Sequence, residues 1–163
     1  MKIVQIGKLA SRAFVYTKAK FPKKENGEEK GTVPVISVDG NFYIGVLELP
    51  DRGLELPVME EWSYPNLRIA PCRYKGTAQD GDLIIAGHNY DRHFGCLRNL
   101  EEGELVRFTD VEGEVHEYQV QEVEILGSTA IQEMEAGEWD LTLFTCTVGG
   151  QMRVAARCME VFR

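Results

Sequence analysis

The stretch Asp140–Cys158, DLTLFTCTVGGQMRVAARC, decides the reading of this chain. A strand-forming run, Leu141–Thr145, ends in Cys146. The pair Gly149-Gly150 follows, and a second strand-like run opens at Arg153. Glycines accept the positive φ values of a tight hairpin turn, so the pattern predicts two antiparallel strands with Arg153 returning to the level of Cys146. A residue at a strand end is held rigidly and can face a cleft, which suits a nucleophile. A free thiol, with a pKa of about 8.5, needs a nearby base or positive charge to become reactive. A guanidinium stays charged and presents several N–H groups, which suits it to receive an oxyanion. Arg157 shares the face of Arg153 by the two-residue strand period and is the fallback candidate.

The base is sought among three histidines. His88, in AGHNY, follows the apolar run DLIIA and is again a strand-end residue preceded by glycine. His93, in DRHFG, reads as loop, and His116, among charged residues, reads as a solvent-facing strand residue. Cys146, His88 and Arg153 together describe acyl transfer: thiolate attack, a stabilised oxyanion and an imidazole that protonates the leaving amine. The other cysteines, Cys72, Cys96 and Cys158, form no CxxC pair or zinc-ribbon spacing and read as core residues. A zinc site from His88, His93 and a cysteine has no common structural spacing and is discounted, so neither metal nor cofactor is expected.

Outward from this stretch the chain reads as short strands between turns. FYIGVLEL (Phe42–Leu49) stops at Pro50-Asp51-Arg52-Gly53, and LELPV (Leu54–Val58) alternates. DLIIAGH (Asp82–His88) reads as a buried strand, and Glu104–Leu126 as a hairpin about Glu112-Gly113. Gln132–Trp139 reads as a short helical turn. Many short strands and few helical patterns predict a closed or nearly closed β-barrel, because closure removes exposed edges.

The 163 residues suit one domain, and 44% hydrophobic content fills one core. The net charge of −8 argues against nucleic-acid binding by the folded body. Residues 1–30 hold eight Lys/Arg against three Glu, a local +5, leaving −13 for the rest. Residues 1–40 are therefore expected to be a basic, partly flexible extension, with a short helix over Ile6–Phe21, and the folded domain to span 41–163. A basic leader of this kind suits an anionic membrane surface. No apolar run approaches the roughly 18 residues of a transmembrane helix.

The quoted motifs resemble those of one family. TLFTC (Thr142–Cys146) followed by Arg153 resembles the TLxTC…R signature of sortases, and AGHN (Ala86–Asn89) resembles their histidine motif. IGVLELPDRGLELPV (Ile44–Val58) and Leu97–Val120 are similar to the sortase segments in the same order, so the likeness runs from about Tyr43 to Val161. It implies an eight-stranded β-barrel and a cysteine transpeptidase of the Gram-positive cell surface. It further implies cleavage of an LPXTG-like sorting signal, a thioacyl intermediate on Cys146, and transfer to an amine of a cell-wall precursor or pilin. His88 would be general acid and then base, Arg153 would hold substrate and oxyanion, and Thr145 would contribute to the cleft wall. The loop from Cys146 to Arg153 is shorter than in many sortases, which bears on substrate preference. Family members usually carry a membrane anchor, and the basic residues 1–30 would be its juxtamembrane remainder. The alternatives are a cysteine peptidase with water as acceptor and a non-catalytic β-barrel binding module.

Overall fold

The structure is a computed structural model that describes residues 33–90, 92–146 and 151–161, without the side chain of Cys146. The helix expected over Ile6–Phe21, most of the basic extension and the turn at Gly149-Gly150 lie outside the described residues.

The described strands are β1 (Ile36–Val38), β2 (Asn41–Leu49), β3 (Leu54–Met59), β4 (Cys72–Lys75), β5 (Leu83–Gly87), β6 (Leu105–Asp110), β7 (Val115–Gly127), β8 (Leu141–Cys146) and β9 (Met152–Glu160). They lie in the order β1-β2-β3-β4-β5-β8-β9-β7-β6, and β6 pairs back onto β2. Eight strands therefore close a ring, and β1 sits outside it on β2. This is the expected eight-stranded barrel. The ring is thinnest at the parallel β3–β4 join, where Met59 and Cys72 are the one registered pair. The short helix α1 (Tyr64–Ile69) fills that crossover. The Ser63 hydroxyl accepts from the Asn66 backbone N–H, and Pro65 fits the first turn, where its missing N–H costs nothing. A second short helix, α2 (Ile131–Glu135), lies between β7 and β8, within the expected helical turn's neighbourhood.

Strand alternation sorts the apolar residues into two layers. Leu141 and Leu143 of β8, with Leu83, Ile85, Val106, Phe108, Tyr118, Val120, Val154 and Ala156, fill the barrel. Each fully buried Val, Leu, Ile or Phe among them contributes about 1.5–3 kcal/mol of transfer free energy. Phe144, Ile84, Ala86 and Ala155 belong to a second cluster, with Met59, Leu67 of α1 and Met134 of α2. This outer layer is the floor on which the candidate site is built. The same parity corrects one reading: His116 is 6% exposed, because it shares the inward register of Tyr118 and Val120.

Candidate active site

Three neighbouring strands bring the three sequence candidates to one end of the barrel. β5 and β8 run parallel, with Ala86 opposite Phe144 and Gly87 opposite Thr145, so the chain enters His88 beside Cys146. β8 and β9 run antiparallel, and Cys146 is the registered partner of Arg153. Position 146 continues the alternation of Thr142 and Phe144, and Arg153 that of Ala155 and Arg157. Histidine, cysteine and arginine thus end three adjacent strands on the register of the outer layer. His88 and Arg153 are half-buried.

The loop after β5 explains how His88 is held. Phe94 is fully buried beneath Gly87, and a Cβ on Gly87 would meet the Phe94 ring at 2.4 Å. The glycine before the histidine is therefore a steric requirement of this packing. The backbone closes on itself: Phe94 N–H donates to the His88 carbonyl at 3.0 Å, and His93 and Gly95 N–H both donate to the Tyr90 carbonyl at 2.9 Å. Tyr90 then stacks on His88, with ring centroids 4.5 Å apart and planes 16° apart. His93 packs at 5.5 Å from the other partner of this row, Tyr90, and Arg92 lies 5.8 Å from the same ring. His93 is 4% exposed, and burial, with smaller contributions from Arg92 and His88, lowers its pKa to about 4. It is a neutral structural imidazole behind His88, in the loop where it was expected but buried.

Residues 47–161 match the sequence profile of the Sortase domain, which covers more than half of the chain. The chain belongs to the sortase family. A curated relative, sortase A of Bacillus anthracis, is 29% identical over 124 residues, covering 68% of this chain and 55% of the relative. The chain thus spans about half the length of that protein. Among solved structures, sortase C-3 of Streptococcus pneumoniae superposes with TM-score 0.68 at 22% identity, covering 99% of this chain and 85% of that one. A second sortase C of S. pneumoniae gives TM-score 0.70 at 17% identity, covering 93% and 96%. Sortase C of Clostridium perfringens, solved with its C-terminal cell wall sorting motif, gives TM-score 0.64 at 18% identity, covering 99% and 88%. These likenesses establish the fold. Sortases are cysteine transpeptidases that act at the Gram-positive cell surface. No helix among the described residues is long and apolar enough to cross a membrane.

In this sortase burial disfavours the thiolate form of Cys72, Cys96 and Cys158. Cys72 and Cys158 are fully buried, and burial pushes both thiols up to about 12. Burial also raises the Cys96 thiol. Thr145 is 2% exposed and pairs with Gly87 and Val154 on the inward register, so its side chain does not line an open cleft wall as expected. Its Oγ1 is buried without a hydrogen-bond partner among the described residues.

The fallback Arg157 is also corrected. It shares the face of Arg153, but it is 2% exposed and each of its three guanidinium nitrogens donates a hydrogen bond within the fold. It pairs with Glu124 at 2.8 Å and donates to the carbonyls of Glu133 and Met134 and to the Thr142 hydroxyl. With the Lys75–Glu135 pair, it pins α2 beside the outer layer. Sequence reasoning missed this anchor and the Tyr90 stack. Tyr90 stands two residues after His88, a spacing that offered a signal, whereas the partners of Arg157 are distant in sequence.

Proposed function

We propose that this chain is a sortase-type cysteine transpeptidase in which Cys146, His88 and Arg153 carry the reaction. The observation that carries the reading is the registered pairing of Cys146 with Arg153 across β8 and β9, with His88 following directly on the Gly87–Thr145 pair of β5 and β8. The Cys146 thiolate attacks the carbonyl carbon of a sorting-signal peptide, and the carbonyl π electrons move onto oxygen. Arg153 donates N–H groups to that oxyanion, a contribution of roughly 2.7–4 kcal/mol for one preorganised donor. The tetrahedral centre collapses to a thioester as the C–N bond breaks, and protonated His88 supplies the proton to the leaving amine. An incoming amine then attacks the thioester, His88 takes its proton, and thiolate leaves.

The substrate class proposed is a protein with an LPXTG-like C-terminal signal, and the acceptor is an amine of a cell-wall precursor or a pilin. The solved relatives include a sortase C described with pilin substrate specificity and one held with a cell wall sorting motif, which supports that class. The location proposed is the outer face of the cell membrane.

Intact-protein mass spectrometry after incubation with LPXTG-like peptides, with and without triglycine, tests the reading. A thioacyl adduct on Cys146 that the amine releases as a ligated product is the expected result. Release by water alone would make the chain a peptidase. Absence of any adduct on a reduced thiol, with residues 1–32 present or removed so that β1 is kept, would overturn the reading.

A further inference from the structure

At the end of β9 away from Arg153, the barrel holds a cluster that acyl transfer does not use. One donor atom from each of Asp110, Glu114 and His116 lies within 4.8 Å of the others. His116 is buried, and its Nδ1 lies 3.2 Å from Glu160 Oε1. Its Nε2 is buried without a hydrogen-bond partner among the described residues and points toward Glu114, with Oε1 at 4.0 Å. A buried polar atom left without a partner costs about 1–3 kcal/mol. The described ion pairs give neither Asp110 nor Glu114 a Lys or Arg partner.

We propose that this cluster binds a divalent first-row transition ion of the zinc type through His116 Nε2 and the carboxylates of Glu114 and Asp110. Glu160 orients the imidazole from the far side, the arrangement in which a carboxylate fixes the tautomer of a metal-ligating histidine. Asp110 is already immobilised. Its Oδ1 accepts from the backbone N–H groups of Glu112 and Glu114, and its Oδ2 accepts from Gln79 Nε2, all at 2.9 Å. A carboxylate has about four lone-pair sites, so one remains for an ion. Ligand bonds of about 2.0–2.2 Å require donors closer together than these are. The Glu114 side chain is 61% exposed and is the member free to swing inward. An imidazole in the set favours zinc over calcium or magnesium, which take oxygen ligands. Glu160 lies seven positions beyond Arg153 on β9, about 23 Å along a strand. The ion would fasten the β6–β7 turn to the end of β9, away from the chemistry.

The test uses the full chain carrying Cys146→Ala, so that this thiol does not compete for the ion. Zinc chloride is titrated by calorimetry while histidine nitrogens are followed by long-range proton–nitrogen NMR. The expected result is a single saturable site, a shift at His116 Nε2 and a raised Tm, with no comparable effect of calcium. Glu114→Gln, an exposed change that leaves the core untouched, should weaken binding at least about tenfold, and Glu160→Gln by roughly ten- to a hundredfold. The proposal is overturned by the absence of saturable binding at millimolar zinc. Shifts confined to His88 or His93, or an unchanged affinity in Glu114→Gln, would overturn it equally.

Discussion

The ring of Tyr90 lies nearly flat on the imidazole of His88, 4.5 Å from it and tilted by 16°. Tyr90 is itself fixed through its carbonyl, which receives two backbone N–H donors from its own loop. Such a contact limits the rotation of His88, so Tyr90 is a positioning residue under the proposed mechanism. An aromatic pair of this kind contributes about 0.5–1.5 kcal/mol. Tyr90→Ala should therefore lower kcat/KM by roughly three- to tenfold, mainly through kcat, with the melting temperature lowered by no more than a few degrees. Tyr90→Phe keeps the ring and should keep the rate. Equal loss in both variants would mean that the hydroxyl matters and the stack does not.

Gly87 and Phe94 set the position of the same histidine from below. Any side chain at Gly87 must displace the Phe94 ring, which has no exposed side to move toward. Overpacking of this kind costs typically about 1–3 kcal/mol. Gly87→Ala should lower the free energy of unfolding measured in urea by that amount and reduce turnover. Combining it with Phe94→Leu, which vacates part of the ring volume, should recover some stability. If the double variant is less stable than the sum of the two single changes, steric conflict is not the cause.

Arg153 and Arg157 share a strand face and should fail in opposite ways. Arg157 is buried in a network with Glu124, Thr142 and two carbonyls, and breaking a buried pair costs about 3–5 kcal/mol. Because Glu124 is partly exposed, Arg157→Met should fall at or below the low end of that range in chemical denaturation. Arg153→Ala should reduce kcat/KM by roughly a hundred- to a thousandfold. Arg153→Lys should lose much of the same activity, since a point charge does not replace the guanidinium fork. Near-normal turnover in Arg153→Lys, with the fold intact, would remove Arg153 from the mechanism.

The hairpin that opened the sequence reading was legible because β8 is an uninterrupted run of strand-forming residues, LTLFT, whose end coincides with Cys146. The β6–β7 hairpin was legible from Glu112-Gly113, and Gly113 does take a positive φ of 84°. β4 was not, because Cys72–Lys75 is four residues long with two basic side chains and no alternating run. α1 carried a usable signal in Ser63 followed by Pro65, but six residues are too few for a helical period to show. His116 was misread although its parity with Tyr118 and Val120 was visible, since the glutamates beside it suggested solvent. Arg157 could not be separated from Arg153 by period alone. Its burial depends on Glu124, which reaches it across the β7–β9 pairing, and on α2, which no strand pattern locates.

The three described cysteines predict a selective alkylation pattern. With thiols near 12 and no exposure, Cys72 and Cys158 have almost no thiolate near neutral pH and no access for a reagent. Iodoacetamide mapped by peptide mass spectrometry should label Cys146 first and leave these two unmodified until denaturant is added. Cys158→Ser buries a hydroxyl in an apolar core and should cost about 1–3 kcal/mol while activity persists. Rapid labelling of Cys158 in the folded chain would contradict its burial.

His93 should give the fold a measurable dependence on pH. In the unfolded chain its imidazole takes up a proton near 6.5, while in the fold burial, aided by Arg92 and His88, holds the pKa to about 4. Between these values the unfolded state binds the extra proton, so acid favours unfolding. Stability due to this group is present above pH 6.5, falls as pH drops toward 4, and is fully lost below 4. The span corresponds to about 3 kcal/mol. Carboxylates titrate in part of the same window, so the comparison is between the wild-type chain and His93→Gln, measured by urea unfolding at closely spaced pH values. The difference in stability between the two should change by about 3 kcal/mol across the window, in the direction that penalises the wild type in acid. Parallel curves would show that His93 is protonated in the fold as readily as outside it.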